Sequence, residues 1–215
     1  DSTKGMSVDS GKLGIDLDSS QGLYFESGQL QQAAAAAGGA WTVVAAANAD
    51  SGTATIDFTN ALDSTYKVYA FVCSNITLVN DGQTLIMRTG DSAGSYDSGT
   101  GRYKFHVTQV GSASVTYGAL VDSAVYGNWV LDNAIGKDSG EHGNFVIYCY
   151  GFYDSTLRSM IQWHGVELTS APAHFYVHGS GSKDSAATRD TSARFAGGIN
   201  PLKSGNITLY GIRDS

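Results

Sequence analysis

The chain has 215 residues, of which 15% are charged, and a formal net charge of −7. It has no basic block, so it lacks the electrostatic footprint of a nucleic-acid-binding protein. No apolar run approaches the roughly 20 residues that a membrane-spanning helix requires, so no membrane insertion is expected.

The 27 glycines, two prolines and frequent Gly-Ser and Asp-Ser pairs point to many short strands joined by turns. The chain opens at Asp1 with neither Met nor a signal peptide. A processed N-terminus and the cut end of a longer chain both fit that start.

Two runs near the N-terminus match one another: Gly5-Met6-Ser7-Val8-Asp9-Ser10-Gly11-Lys12-Leu13 and Gly22-Leu23-Tyr24-Phe25-Glu26-Ser27-Gly28-Gln29-Leu30. In each, apolar residues alternate with polar ones, and a Ser-Gly corner turns the chain. Period-two alternation predicts strands, each with one apolar face. In the first copy the alternation continues through Leu13, Ile15 and Leu17. A unit this short cannot bury its own apolar side chains, so it must meet copies of itself.

The pattern resembles the shaft repeat of fibrous virus proteins: adenovirus and reovirus fibres and several bacteriophage tail fibres. In that family three chains wind into a triple β-spiral. The resemblance implies a homotrimer whose shaft core holds Met6, Val8, Leu13, Ile15, Leu17, Leu23, Phe25 and Leu30. An ordinary β-hairpin arm is the alternative. After Leu30 the second copy departs from the pattern, so shaft repeats are expected over residues 1–32 only. The alanines from Ala33 to Ala37, followed by Gly38-Gly39, predict a neck over residues 33–40. One helical turn and a flexible linker both suit them.

Residues 41–215 are expected to form an all-β head. Strands are predicted over residues 53–58, 66–73, 84–88, 102–107, 145–152, 158–168, 174–177, 192–195 and 206–212. Nine or ten strands without an amphipathic helix imply an antiparallel, jelly-roll-like two-sheet β-sandwich. The runs 66–73 and 145–152 are apolar on both faces, so their outer faces should be covered too. Cys73 and Cys149 fall in apolar strands and read as buried thiols, with a disulfide as the other possibility.

Phe58-Thr59-Asn60-Ala61-Leu62-Asp63-Ser64-Thr65-Tyr66-Lys67-Val68-Tyr69-Ala70-Phe71 resembles a stretch of tailed-bacteriophage virion proteins. So do Met87-Arg88-Thr89, Gly94 to Gly99 with Tyr103, and the ending Ser204 to Arg213. The resemblance implies a virion protein assembled in the host cytoplasm, with other tail or capsid proteins as partners. It further implies the C-terminal part of a tail fibre that contacts a host-surface glycan or protein. A head fibre or capsid decoration protein is the alternative, and a glycan depolymerase a third.

No enzyme motif is present. There is no Gly-x-Ser-x-Gly elbow, and His174 and His178 share a strand face without further metal ligands. Asp91 and Asp97, with Ser92, Ser95 and Ser98, offer oxygen ligands that could hold calcium, although they lack the ligand order of an EF-hand. No cofactor is expected. The longest polar stretches, residues 90–101, 132–143 and 179–189, read as loops at one end of the sandwich. Among the aromatics in or beside such segments (Tyr96, Tyr126, Trp129 and Tyr153), Tyr96 and Trp129 are the candidate receptor contacts.

If the repeats form a three-chain shaft, light scattering at micromolar concentration should give three times the 22.5 kDa chain mass. A clean monomer would remove the shaft.

Overall fold

The computed structural model describes residues 6–9, 12–15, 23–26, 29–32, 40–50, 52–92, 95–99, 101–111, 115–116, 120–121, 127–169, 173–184, 189–198 and 200–213. The chain divides into two compact units, Asp1–Gly39 and Ala40–Ser215. All regular structure among the described residues is strand.

The first unit contains two hairpins, one in each sequence repeat. β1 (Met6–Asp9) pairs antiparallel with β2 (Lys12–Ile15), setting Met6 opposite Ile15 and Val8 opposite Leu13. β3 (Leu23–Glu26) pairs with β4 (Gln29–Gln32), setting Phe25 opposite Leu30. Leu17 and the alanine run lie outside the described residues, as do the side-chain surroundings of the other expected shaft-core positions.

The second unit contains fourteen strands among its described residues. These are β5 (Trp41–Ala49), β6 (Thr55–Phe58), β7 (Val68–Leu78), β8 (Gln83–Ser92), β9 (Ser95–Tyr96), β10 (Tyr103–Gly111), β11 (Val115–Thr116) and β12 (Leu120–Val121). They continue with β13 (Trp129–Ile135), β14 (Gly143–Tyr150), β15 (Met160–Leu168), β16 (His174–Lys183), β17 (Ser192–Gly197) and β18 (Leu202–Ile212). A nine-stranded sheet runs β11-β10-β16-β15-β14-β7-β18-β5, with β12 also on β10. A five-stranded sheet runs β13-β8-β17-β6, with β9 also on β8. Every pairing is antiparallel.

The two sheets share one core. Phe71 of the larger sheet lies edge-on to Phe58 and Phe195 of the smaller, at centroid distances of 5.2 and 5.0 Å. Two tryptophans cross between the sheets. Trp163 on β15 donates its indole N–H to the Leu131 carbonyl on β13 at 2.8 Å. Trp129 on β13 donates to the Ser182 carbonyl on β16 at 3.3 Å. Their rings lie where side chains at Gly179 and Gly181 of β16 would project.

That packing corrects three loop assignments. Residues 179–183 are strand, their glycines being the space for two indoles and not turn residues. Residues 132–135 belong to β13, whose register shifts around Asp132 obscure the alternation. Residues 90–92 extend β8. β7 also runs beyond the predicted end at Cys73. Asn75 adopts φ 55° there, and its N–H donates to Asn144 Oδ1 at 2.9 Å. The irregularity resets the parity, so Ile76 and Leu78 enter the core after Tyr69, Phe71 and Cys73.

Cys73 and Cys149 are buried free thiols. Cys149 is opposite Tyr69, four residues along β7 from Cys73. That spacing is about 13 Å along a strand, whereas a disulfide needs Cα atoms within about 7 Å. Burial pushes both thiols above the ordinary range. A thiol reagent should therefore label neither cysteine until the protein is denatured. Reductant should leave the melting temperature unchanged, and a fall on reduction would contradict the free-thiol assignment.

Candidate functional site

A polar cavity lies at one end of the sandwich. It has a volume of about 500 Å³ and lies between the β6–β7 connection, the β14–β15 connection and Arg189. That volume is in the range of ligand pockets.

Each wall is held by its own short-range chemistry. In the β6–β7 connection Asp63 Oδ1 accepts the Thr65 N–H and lies 2.8 Å from the Tyr69 hydroxyl. The Tyr69 oxygen accepts the Asp63 N–H at 2.9 Å. The Thr65 hydrogen bonds hold the Asp63 carboxyl below the usual range, and burial lifts the Tyr69 phenol to about 12. Tyr66 stands edge-on to Tyr69 at 5.6 Å.

In the β14–β15 connection Asp154 Oδ1 accepts the Thr156 hydroxyl at 2.6 Å and the Thr156 N–H at 2.8 Å. These bonds, the hydroxyl first, hold the Asp154 carboxyl low. Arg189 lies over the Tyr153 ring, 4.9 Å from its centroid.

Behind the cavity the support is buried. The Asp190 N–H donates to the Phe152 carbonyl at 2.7 Å. The Asp190 carboxylate takes the Lys183 ammonium at 2.7 Å and the Ser159 hydroxyl. Lys183 and Asp190 are both buried, and such a pair is kept by its mutual satisfaction. Cavity-lining Asp63 and Asp154 are matched by Lys67 and Arg189, so the two signs are balanced.

The two candidate contacts fall elsewhere. Trp129 is 0% exposed and stacks on Phe152 at 6.1 Å, behind the cavity wall. The expectation of an exposed Trp129 is corrected: its indole fills the space over Gly181 and touches no solvent. Tyr96 is half-buried beneath Arg194, whose guanidinium carbon is 4.1 Å from the ring centroid. Arg194 in turn forks onto Asp57 at 2.7 and 2.6 Å. Tyr126 lies outside the described residues, and Tyr153 alone of the four aromatics lines the cavity. Asp97 faces Lys183 at 3.6 Å and Arg102 at 4.0 Å, so two cations already attend its carboxylate.

Sequence reasoning missed Asp63, Tyr66, Tyr69, Arg189 and Asp154 as one group. The Asp-Ser-Thr spacing at residues 63–65 and 154–156 signals paired Asx turns in retrospect. Nothing in the spacing brings them together.

A second titratable cluster lies inside the sandwich. The Gln109 amide donates to Asp132 Oδ1 at 2.8 Å and to Glu167 Oε1 at 3.1 Å. Asp132 is 0% and Glu167 2% exposed. Burial first, then the hydrogen bond and charge of Asp132, drive the Glu167 carboxyl far above its usual range.

Comparison of the chain with protein-family models, curated proteins and solved structures finds no match.

The raised Glu167 value fixes a pH dependence. An unfolded Glu ionises near pH 4.5, whereas the folded one keeps its proton well beyond. The stability this proton supplies is complete below that pH and is lost as pH rises through the folded value. Thermal scans from pH 4 to 9 should show a falling melting temperature. Glu167→Gln, which mimics the protonated acid, should raise the melting temperature at pH 8 and flatten the decline. No difference from the parent would mean that Glu167 is ionised in the folded protein.

Proposed function

We propose that the chain is a virion surface protein, the C-terminal part of a homotrimeric bacteriophage tail fibre, whose head binds a host-surface glycan. The two repeat hairpins are its short β-spiral shaft, and the end cavity is its receptor site.

The observation that carries this reading is the cavity between residues 63–69 and 151–157. Tyr66 and Tyr153 line it, and aromatic rings are the side chains on which the apolar face of a sugar stacks. Asp63 and Asp154 sit beside them as hydrogen-bond acceptors for hydroxyls. Balanced charge suits a neutral glycan better than a strongly anionic one.

The same cavity favours holding a glycan over cleaving it. Hydrolysis needs one carboxyl kept protonated as general acid. Hydrogen bonding pushes both cavity carboxyls the other way, toward the ionised acceptor. Three heads on one shaft would add weak single-site contacts through multivalency. A decoration protein without a receptor is the rival, and it assigns the cavity no ligand.

The test is adsorption of the recombinant chain to host cells and to a glycan array. Tyr153→Ala and Arg189→Ala should each weaken binding about tenfold, a loss of about 1.4 kcal/mol per site, with melting unchanged. Periodate oxidation of the host surface should abolish adsorption. If both variants bind like the parent, the cavity is not the receptor site.

A further inference from the structure

We propose that the outer face of the nine-stranded sheet is an interface between copies of this chain. The proposal rests on that face alone and holds whatever the end cavity binds.

The register defines the face. One row crosses six strands as Thr208, Val72, Val146, His164, His178 and Thr108. The row beside it sets Tyr210 next to Ala70, then Tyr148, Gln162, Ser180 and His106. A third row carries Val166, Tyr176 and Val110, and a fourth Val68, Tyr150 and Met160. Burial alternates strictly along β14, so these side chains point away from the core.

Among the described residues, much of this face is exposed or half-buried. Val43 is 59% exposed, Val166 54%, Met160 51% and Tyr176 47%. The aromatics are already ordered: Trp41 stands edge-on to Tyr148 and Tyr210, and Tyr148 stacks on His164 at 6.2 Å. Preordered aromatic side chains lose little freedom when covered.

Charge selects the occupant. The fourth row continues from Met160 through Ser182 to Lys104 at a corner, the one Lys, Arg, Asp or Glu across these rows, held by Asp184 at 3.4 Å. The chain as a whole carries −7. Two copies therefore repel one another over most of their surfaces and least across this face. A charged partner would find nothing here to pair with, whereas a second uncharged aromatic face fits. Charge depletion with aromatic enrichment is the composition of an interface core.

Area agrees. Six strands about 4.8 Å apart and four rows about 6.8 Å apart make a face of roughly 800 Å², what one partner contributes to an ordinary stable interface.

The test places a thiol on the face of the full chain as Val166→Cys, with Ser139→Cys on an exposed turn as control. The native cysteines are buried and stay silent. At micromolar concentration the Val166→Cys chain should label with a maleimide at least tenfold more slowly than the control. A flexible bis-maleimide long enough to span the face should then join two Val166→Cys chains through their introduced thiols. Labelling at the control rate overturns the proposal. Protection without an interchain product also overturns it, because something other than another copy then covers the face. Loss of glycan binding in the cavity variants leaves both readouts unmoved, so the two proposals fail separately.

Discussion

The head depends on two indoles, each tied to the sheet opposite its own. Trp163 projects from the nine-stranded sheet and bonds the backbone of β13. Trp129 projects from the five-stranded sheet and bonds the backbone of β16. Dispersion and area burial fix how close two sheets come, but they leave the sheets free to slide. Two directional bonds running in opposite senses remove that freedom. The glycines of β16 make the arrangement sterically possible, since a side chain at Gly179 or Gly181 would occupy the space of a ring. Truncating a buried tryptophan costs about 3–5 kcal/mol, against a net domain stability of about 5–15 kcal/mol. The seam is therefore comparable in size with everything that keeps the head folded.

From this seam the candidate site follows. Trp129 backs Phe152, and Phe152 with Asp190 anchors the wall that carries Tyr153 and Arg189. Lys183 reaches Asp190 from the same strand that accommodates the indoles. The end cavity is thus backed by the same packing that ties the two sheets together. Its polar rim is made by local Asx turns that fix one oxygen, Oδ1, of each carboxylate on nearby donors. Preorganised acceptors beside ring faces bind without further ordering.

Much of the fold was legible where alternation was clean. Residues 103–107 alternate in sequence and pair as a strand, and the run 145–150, apolar on both faces, pairs as one too. The β5 strand was not named, because Ala45, Ala46 and Ala47 carry no contrast between faces. The Gly-Ser-Gly-Ser segment of β16 read as loop because sequence shows a missing side chain but not the neighbour that fills its place. Trp129 failed as an exposed aromatic for the converse reason. A tryptophan between Asn128 and Val130, beside Gly/Asp/Ser-rich sequence, has the local signature of a loop, and only tertiary packing against β16, Tyr103 and Phe152 buries it. The cavity itself was illegible, since its walls are some 90 residues apart in sequence and meet only through the β7–β14 pairing.

The position of β18 bears on how the head is made. This strand lies between β7 and β5, and among the described pairings β5 has no other neighbour. Synthesis delivers β5 first and β18 last. Until residues 202–212 have left the ribosome, β5 has no ladder partner and one edge of β7 stays open. Unpaired edges of that kind invite strangers. The nine-stranded sheet therefore closes only after translation of its final strand, by insertion between two strands made long before. That closure joins segments some 160 residues apart, the kind of long-range pairing that slows folding.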